Sequence, residues 1–168
     1  MKQNYYMVVL VFIVFFVISF ITNILGSIIP NVTDSFHLSG WQTGLLPFAF
    51  FIAYGLMSIP SGMLVEKYQE KTSMNAAWIV ATFGAFLFAM FPGYPVFLCS
   101  LFLIGAAMAL MQVVINPLLR VSGGEEHFAF YSVFAQLVFG GASFLSPYMY
   151  SYLVTNLGNN NHPSTNST

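Results

Sequence analysis

GMLVEKYQEK, residues 62–71, carries two of the four positive side chains, Lys67 and Lys71, in a sequence of 168 residues that is only 5% charged. One apolar run, residues 41–63, leads into this stretch, and another, residues 74–91, follows it. Three further runs lie outside the pair: residues 6–29, closed by Pro30, then 96–119 and 128–154. A helix needs about 20 mostly apolar residues to cross the hydrocarbon core, and the run 74–91 is the shortest that meets this need. The remaining cations, Lys2 and Arg120, precede the first run and separate the fourth from the fifth. No Lys or Arg occurs in the gaps after the first and third runs, or after the fifth. Cytoplasmic loops collect Lys and Arg, so the pattern predicts an N-terminus inside, five crossings and a C-terminus outside. The expected fold class is an all-α membrane protein with five transmembrane helices.

Composition points the same way. Hydrophobic residues make up 58% of the chain, with 19 Phe, whereas soluble domains are roughly 25% charged. The formal net charge of −1 offers no basic patch, so no nucleic acid partner is expected. Cys99 is the only cysteine and lies inside an apolar run, which excludes an internal disulfide. The first run is too long for a signal-peptide core and lacks a small-residue cleavage site, so it reads as a retained helix. Pro92-Gly93-Tyr94-Pro95 predicts a tight turn, because each Pro fixes φ and removes a donor. Residues 1–155 are expected to form one transmembrane half-domain. Residues 156–168, rich in Asn, Ser and Thr, read as a polar, disordered external tail or loop. Small residues mark expected packing faces at Gly55, Ser58 and Gly62, and again at Gly140, Gly141, Ala142 and Ser143.

No Asp, Glu, Lys or Arg falls deep in any run. A charge at the bilayer centre costs about 2.5–3.5 kcal/mol on insertion scales, and its presence would have marked an ion or proton site. The interior polar groups are amides and hydroxyls instead. Ser19, Asn23 and Ser27 fall four apart on the first run, with Thr22 beside them. Gln112, Asn116 and Arg120 do so on the fourth, and Ser132 and Gln136 on the fifth. Residues four apart share a helix face, so three helices each carry one uncharged polar stripe. Two uses are open. The amides hydrogen-bond neighbouring helices, or they line a cavity for a neutral hydroxylated solute, since an amide donates and accepts together. An intramembrane enzyme is disfavoured, because the spans hold no His, Asp or Glu to act as base. No cofactor and no metal is expected.

The loop Gly62 to Lys71 resembles the signature loop of the major facilitator superfamily, G-x-L-x-D-R-x-G-R-K. Gly62, Leu64 and Lys71 match it, and Glu66 and Lys67 are conservative. Gln69 stands where Gly is expected, and Glu70 where Arg is expected. The stretch from Gln112 through Asn116-Pro117 to Gly123-Gly124-Glu125 is similar to the fourth-helix segment of the fucose permease and glucose–galactose transporter branch. Phe20 to Pro30 resembles that branch's first helix, and Ala135-Gln136 its fifth. The resemblance runs from about Phe15 to Tyr152.

This resemblance implies secondary transport of a neutral sugar or similar small-molecule solute across the cell membrane, in bacteria the inner membrane. It implies substrate-binding roles for Asn23, Gln112, Asn116 and Gln136, and a conformational role for Gly62, Glu66, Lys67 and Lys71. The branch's proton symporters carry Asp where this chain has Ser27, and Glu where it has Gln112. Proton coupling is therefore expected to use a residue outside this chain. The family is built from two six-helix halves, so five helices read as an incomplete N-terminal portion. Its partners would be the lipid bilayer and a C-terminal half. The alternative is a non-transporting five-helix scaffold or subunit.

Overall fold

The computed structural model describes residues 5–158. Four helices account for nearly all of it: α1 (Tyr5–Ser35), α2 (Gly40–Met90), α3 (Tyr94–Gly123) and α4 (Phe128–Gly158), with one 3-10 turn (Glu125–His127) before α4. Each is long and apolar enough to cross a membrane. Five separate helices are expected from the sequence and four are found. The difference lies at residues 64–73, which stay helical on both sides of a single residue instead of opening into a loop.

That residue is Gln69, with φ 67° and ψ 161° inside an otherwise helical stretch. A straight helix of 51 residues would be about 77 Å long, far beyond the ~30 Å hydrocarbon core. α2 is not straight. The Ser73 hydroxyl lies 3.5 Å from the Leu64 carbonyl oxygen, nine residues back, where a continuous helix would place them about 13 Å apart along the axis. Phe50 and Gly84 would be separated by about 51 Å in a straight helix. Yet both pack on one short stretch of α3: the Phe50 carbonyl abuts Gly105, and Gly84 faces Ser100, Leu103 and Ile104. α2 is thus two arms folded back on each other at Gln69. The Tyr94 hydroxyl donates to the Gln42 carbonyl at 3.0 Å, so α3 starts beside the start of α2 and runs parallel to its first arm.

The helix ends follow local chemistry. His37 takes φ 50° just past α1. The Leu38 N–H donates to Thr33 O at 3.0 Å and the His37 N–H to Asp34 O at 3.3 Å. This is the paired closure of a Schellman end, with His in the position usually held by Gly. Ser39 starts α2: its N–H and its hydroxyl both donate to Gln42 Oε1, at 3.0 and 2.8 Å. Gly93 caps α3, and its carbonyl accepts the Phe97 N–H at 2.8 Å, so the expected turn at residues 92–95 spans only Phe91 to Gly93.

Several expected boundaries move outward. α1 continues through Pro30 to Ser35. α3 continues through Pro117 to Gly123, and α4 contains Pro147. In an apolar setting a helix is the state that satisfies the backbone, so one missing N–H does not end it. Gly26, four residues before Pro30, has open space where a side chain would stand. α4 also extends into the expected tail, to Gly158; the rest of that tail, 159–168, lies outside the described residues.

α3 is the most buried helix and forms the centre, touching α1, both arms of α2, and α4. α4 lies along α1. Val8, Val11, Val14, Phe15 and Ile18 give α1 a buried face, while Val9, Leu10 and Ile13 on the other side are exposed. Large apolar side chains stand outward all around the bundle, among them Phe48, Ile59, Ile79, Phe83, Phe130 and Phe144. Water would not tolerate that surface, and lipid does. Of the small-residue stripes, only Ala142, fully buried, and Ser143, 2.9 Å from the Ser19 hydroxyl, lie at a close helix contact. Gly55 and Ser58 are exposed, and an added Cβ at Gly55, Gly62, Gly140 or Gly141 would meet nothing within 4 Å. The tight approaches occur at Gly84, Gly105 and Gly123. An added Cβ at Gly105 would overlap the Phe50 carbonyl, and one at Gly123 the Tyr131 ring.

Candidate functional site

Three of the four expected site amides, Asn23, Gln112 and Asn116, sit in two polar clusters, one in each helix pair. The first joins α1 to α4. Ser19, fully buried, donates through its hydroxyl to the Phe139 carbonyl at 2.6 Å, and lies 2.9 Å from the Ser143 hydroxyl. Asn23, half-buried, donates through Nδ2 to the Ser19 carbonyl at 2.8 Å and to Ser143 Oγ at 2.9 Å. A backbone carbonyl only accepts, so it fixes the amide with its nitrogen toward α4 and its oxygen away. One turn along, Ser146 Oγ donates to the Phe20 carbonyl at 2.9 Å. Four hydroxyl and amide groups therefore pin α1 to α4 in a region otherwise apolar.

The second cluster joins α2 to α3. The Tyr54 hydroxyl donates to Gln112 Oε1. Both residues are half-buried. Phe50, one turn earlier, stacks on Tyr54 with ring centroids 6.4 Å apart. The approach of Phe50 to Gly105 is what brings the two helices close enough for the bond. Asn116 follows one turn further on α3, is exposed, and donates back to the Gln112 carbonyl at 3.2 Å.

Among the described residues no hydrogen bond connects the two clusters. Gln136 is exposed on α4 and bonds to none of them. In chain length, Asn23 lies about 5 Å from the midpoint of α1, and Gln112 about 5 Å from that of α3. Neither cluster contains a charge. The nearest cation along α3, Arg120, is engaged by Glu125 at 2.7 Å, with both side chains well exposed, so that pair adds little to stability.

The loop residues lie at the fold of α2. Gly62 is half-buried, and Glu66, Lys67 and Lys71 are exposed. Lys67 Nζ sits 5.1 Å from the centre of the Tyr68 ring. Among the described residues Glu66 makes no ion pair.

Three contributors escape the sequence reading. Ser143 registers there only as a small residue, and Ser146 and Tyr54 not at all. The available signal for Tyr54 is its position: it lies in the middle of an apolar run, away from the span ends where such rings gather.

The class defined by these features is a membrane-embedded helical protein whose interior polar groups are uncharged amides and hydroxyls. The sequence matches the Major Facilitator Superfamily over residues 11–161, and the chain belongs to that superfamily. It is 34% identical over 117 residues to a glucose/galactose transporter of Brucella abortus, an alignment covering 68% of this chain and 28% of that protein. It is 30% identical over 115 residues to the L-fucose-proton symporter of Escherichia coli, covering 67% and 26%. A putative glucose/galactose transporter of Helicobacter pylori is 29% identical over 116 residues, covering 67% and 28%. The chain spans about a quarter of the length of the curated relatives it matches. These relatives are transporters of sugars.

Proposed function

We propose that the chain takes part in secondary active transport of a neutral sugar across the cell membrane, and that it supplies part of the first half of a two-half transporter. The similarity to glucose/galactose and fucose transporters supports the substrate class. Their greater length supports the existence of a second half. The observation that carries the reading is Gln112. It is a half-buried amide near the middle of the central helix, with Oε1 held by Tyr54 and no partner among the described residues for its Nε2. An amide donor without a partner suits a hydroxyl oxygen of a sugar.

In this reading Asn23, Gln112, Asn116 and Gln136 line the sugar path near the bilayer midplane, where such transporters bind. The chain crosses the membrane five times with its N-terminus inside, and residues 156–168 lie outside. Glu66, Lys67 and Lys71, at the fold of α2, meet the cytoplasm and take part in switching between open states. Ser27 and Gln112 are uncharged, so any proton coupling uses a residue elsewhere.

The test is uptake of radiolabelled glucose, galactose and fucose by cells lacking their own carriers for these sugars and expressing the gene that encodes this chain. Saturable uptake of at least one sugar is expected. Correct membrane insertion with no uptake of any of them would favour the five-helix scaffold instead.

A further inference from the structure

Gln112 has two faces, and the fold has assigned one of them. An amide carries an acceptor and a donor pair at the same end. Left to rotate, it meets either a donor or an acceptor on the sugar and discriminates little. In the structure Tyr54 holds one of the two arrangements: its hydroxyl donates to Oε1, so Nε2 turns to the other side. The tyrosine is itself held. Its ring stacks on Phe50, Phe50 is buried, and the Phe50 backbone is seated on Gly105, where any side chain would collide. Among the described residues Nε2 has no partner, and Gln112 is only half-buried, so the donor has access to whatever occupies the space beside α3.

We infer that Tyr54 is a positioning residue for sugar recognition: it locks Gln112 so that this amide reads the sugar as a donor, to an oxygen that accepts. The inference rests on the transport reading above and sharpens it. Tyr54 does not touch the sugar in this scheme. Its effect passes entirely through Gln112.

Two measurements on the expressed transporter separate this role from a structural one. The first is a cycle of Tyr54→Phe, Gln112→Ala and the double variant. Tyr54→Phe keeps the ring and its stacking and loses only the donor, so insertion and expression should match wild type. It should raise KM for the sugar by about tenfold, the scale of one hydrogen bond, with maximal uptake little changed. In the Gln112→Ala background the same change should have no further effect on KM. Additive effects would show that Tyr54 acts by another route and would overturn the inference.

The second measurement uses sugar analogues that replace one hydroxyl at a time by hydrogen or by fluorine. Fluorine accepts a hydrogen bond and cannot donate. At one ring position the fluoro sugar should compete for uptake and the deoxy sugar should not, and that contrast should vanish in Tyr54→Phe. Equal loss with fluorine and hydrogen at every position would mean that Gln112 acts as an acceptor, against the inference. Failure of wild type to take up any sugar would defeat the transport reading itself, a result distinct from either of these.

Discussion

Gln69 is the residue where this chain strains most visibly. Its φ of 67° with ψ of 161° lies in a region that is essentially Gly-only, and a side chain held there costs on the order of 1–3 kcal/mol. The superfamily's signature loop has Gly at this place, so the pattern already indicates the backbone that the structure displays. Gly costs about 0.5–1 kcal/mol in extra unfolded-state freedom. Gln69→Gly should therefore stabilise the protein by about 1 kcal/mol, read as a higher midpoint of thermal unfolding in detergent; an unchanged or lower midpoint would refute the strain. Gln112→Ala tests the opposite case, a residue proposed to act through its chemistry. It leaves the Tyr54 hydroxyl without its acceptor and should weaken sugar affinity by about 1–3 kcal/mol, measured as a rise in KM. Unaltered KM would remove Gln112 from the sugar path. The amide stripes themselves are legible in sequence, because four-residue spacing is all that a shared face requires. Their partners are not. Whether Asn23 bonds Ser143 and Gln112 bonds Tyr54 depends on which helices become neighbours, and spacing within one helix carries no such information.

At the scale of elements, the apolar runs announce the helices well, and their ends poorly. Pro30 reads as a terminus because it removes a backbone donor, yet α1 passes through it to Ser35, since lipid gives an unwound backbone nothing to bond. The glycine stripes mislead for a related reason. Gly55 and Gly62 belong to a regularly spaced stripe but have open surroundings, whereas Gly105, four residues before Ala109 in a stripe not singled out from the sequence, is the place where α2 and α3 meet. Small residues permit close approach; the facing helix decides where it happens. Gly105→Ala should force the helices apart and destabilise the protein by about 1–3 kcal/mol. Gly55→Ala, with nothing within 4 Å of the new methyl, should be tolerated. Thermal unfolding of the two variants side by side measures the contrast, and equal effects would show that the α2–α3 seam is softer than its geometry implies. Because that seam also carries the Tyr54–Gln112 bond, Gly105→Ala should reduce sugar uptake as well.

At the scale of the whole molecule, the fold of α2 decides how the chain threads the membrane. One uninterrupted 51-residue helix would cross once and put Lys67 and Lys71 near its middle, inside lipid, where each charge is costly. Folding back at Gln69 lets each arm match the bilayer and carries both lysines to one surface. If both arms cross, Arg120 falls on that same side, because α3 runs parallel to the first arm and ends where α2 folds. The fold at Gln69 leaves room for the expected five crossings, and the sidedness that the cation pattern predicts is what the fusions below measure. Glu66 lies at that same fold, exposed and without an ion pair among the described residues, so its carboxylate does little for the stability of these helices. If it serves switching, Glu66→Ala should lower sugar uptake while leaving membrane insertion intact, and loss of insertion would mean a purely topological role. The threading is tested directly by reporter fusions placed after Lys71 and after Thr168. The first should report the cytoplasm and the second the opposite compartment, because three more crossings separate them: the second arm of α2, then α3, then α4. The same compartment for both would mean that α2 does not cross twice, and the cation pattern would then have no membrane side to mark.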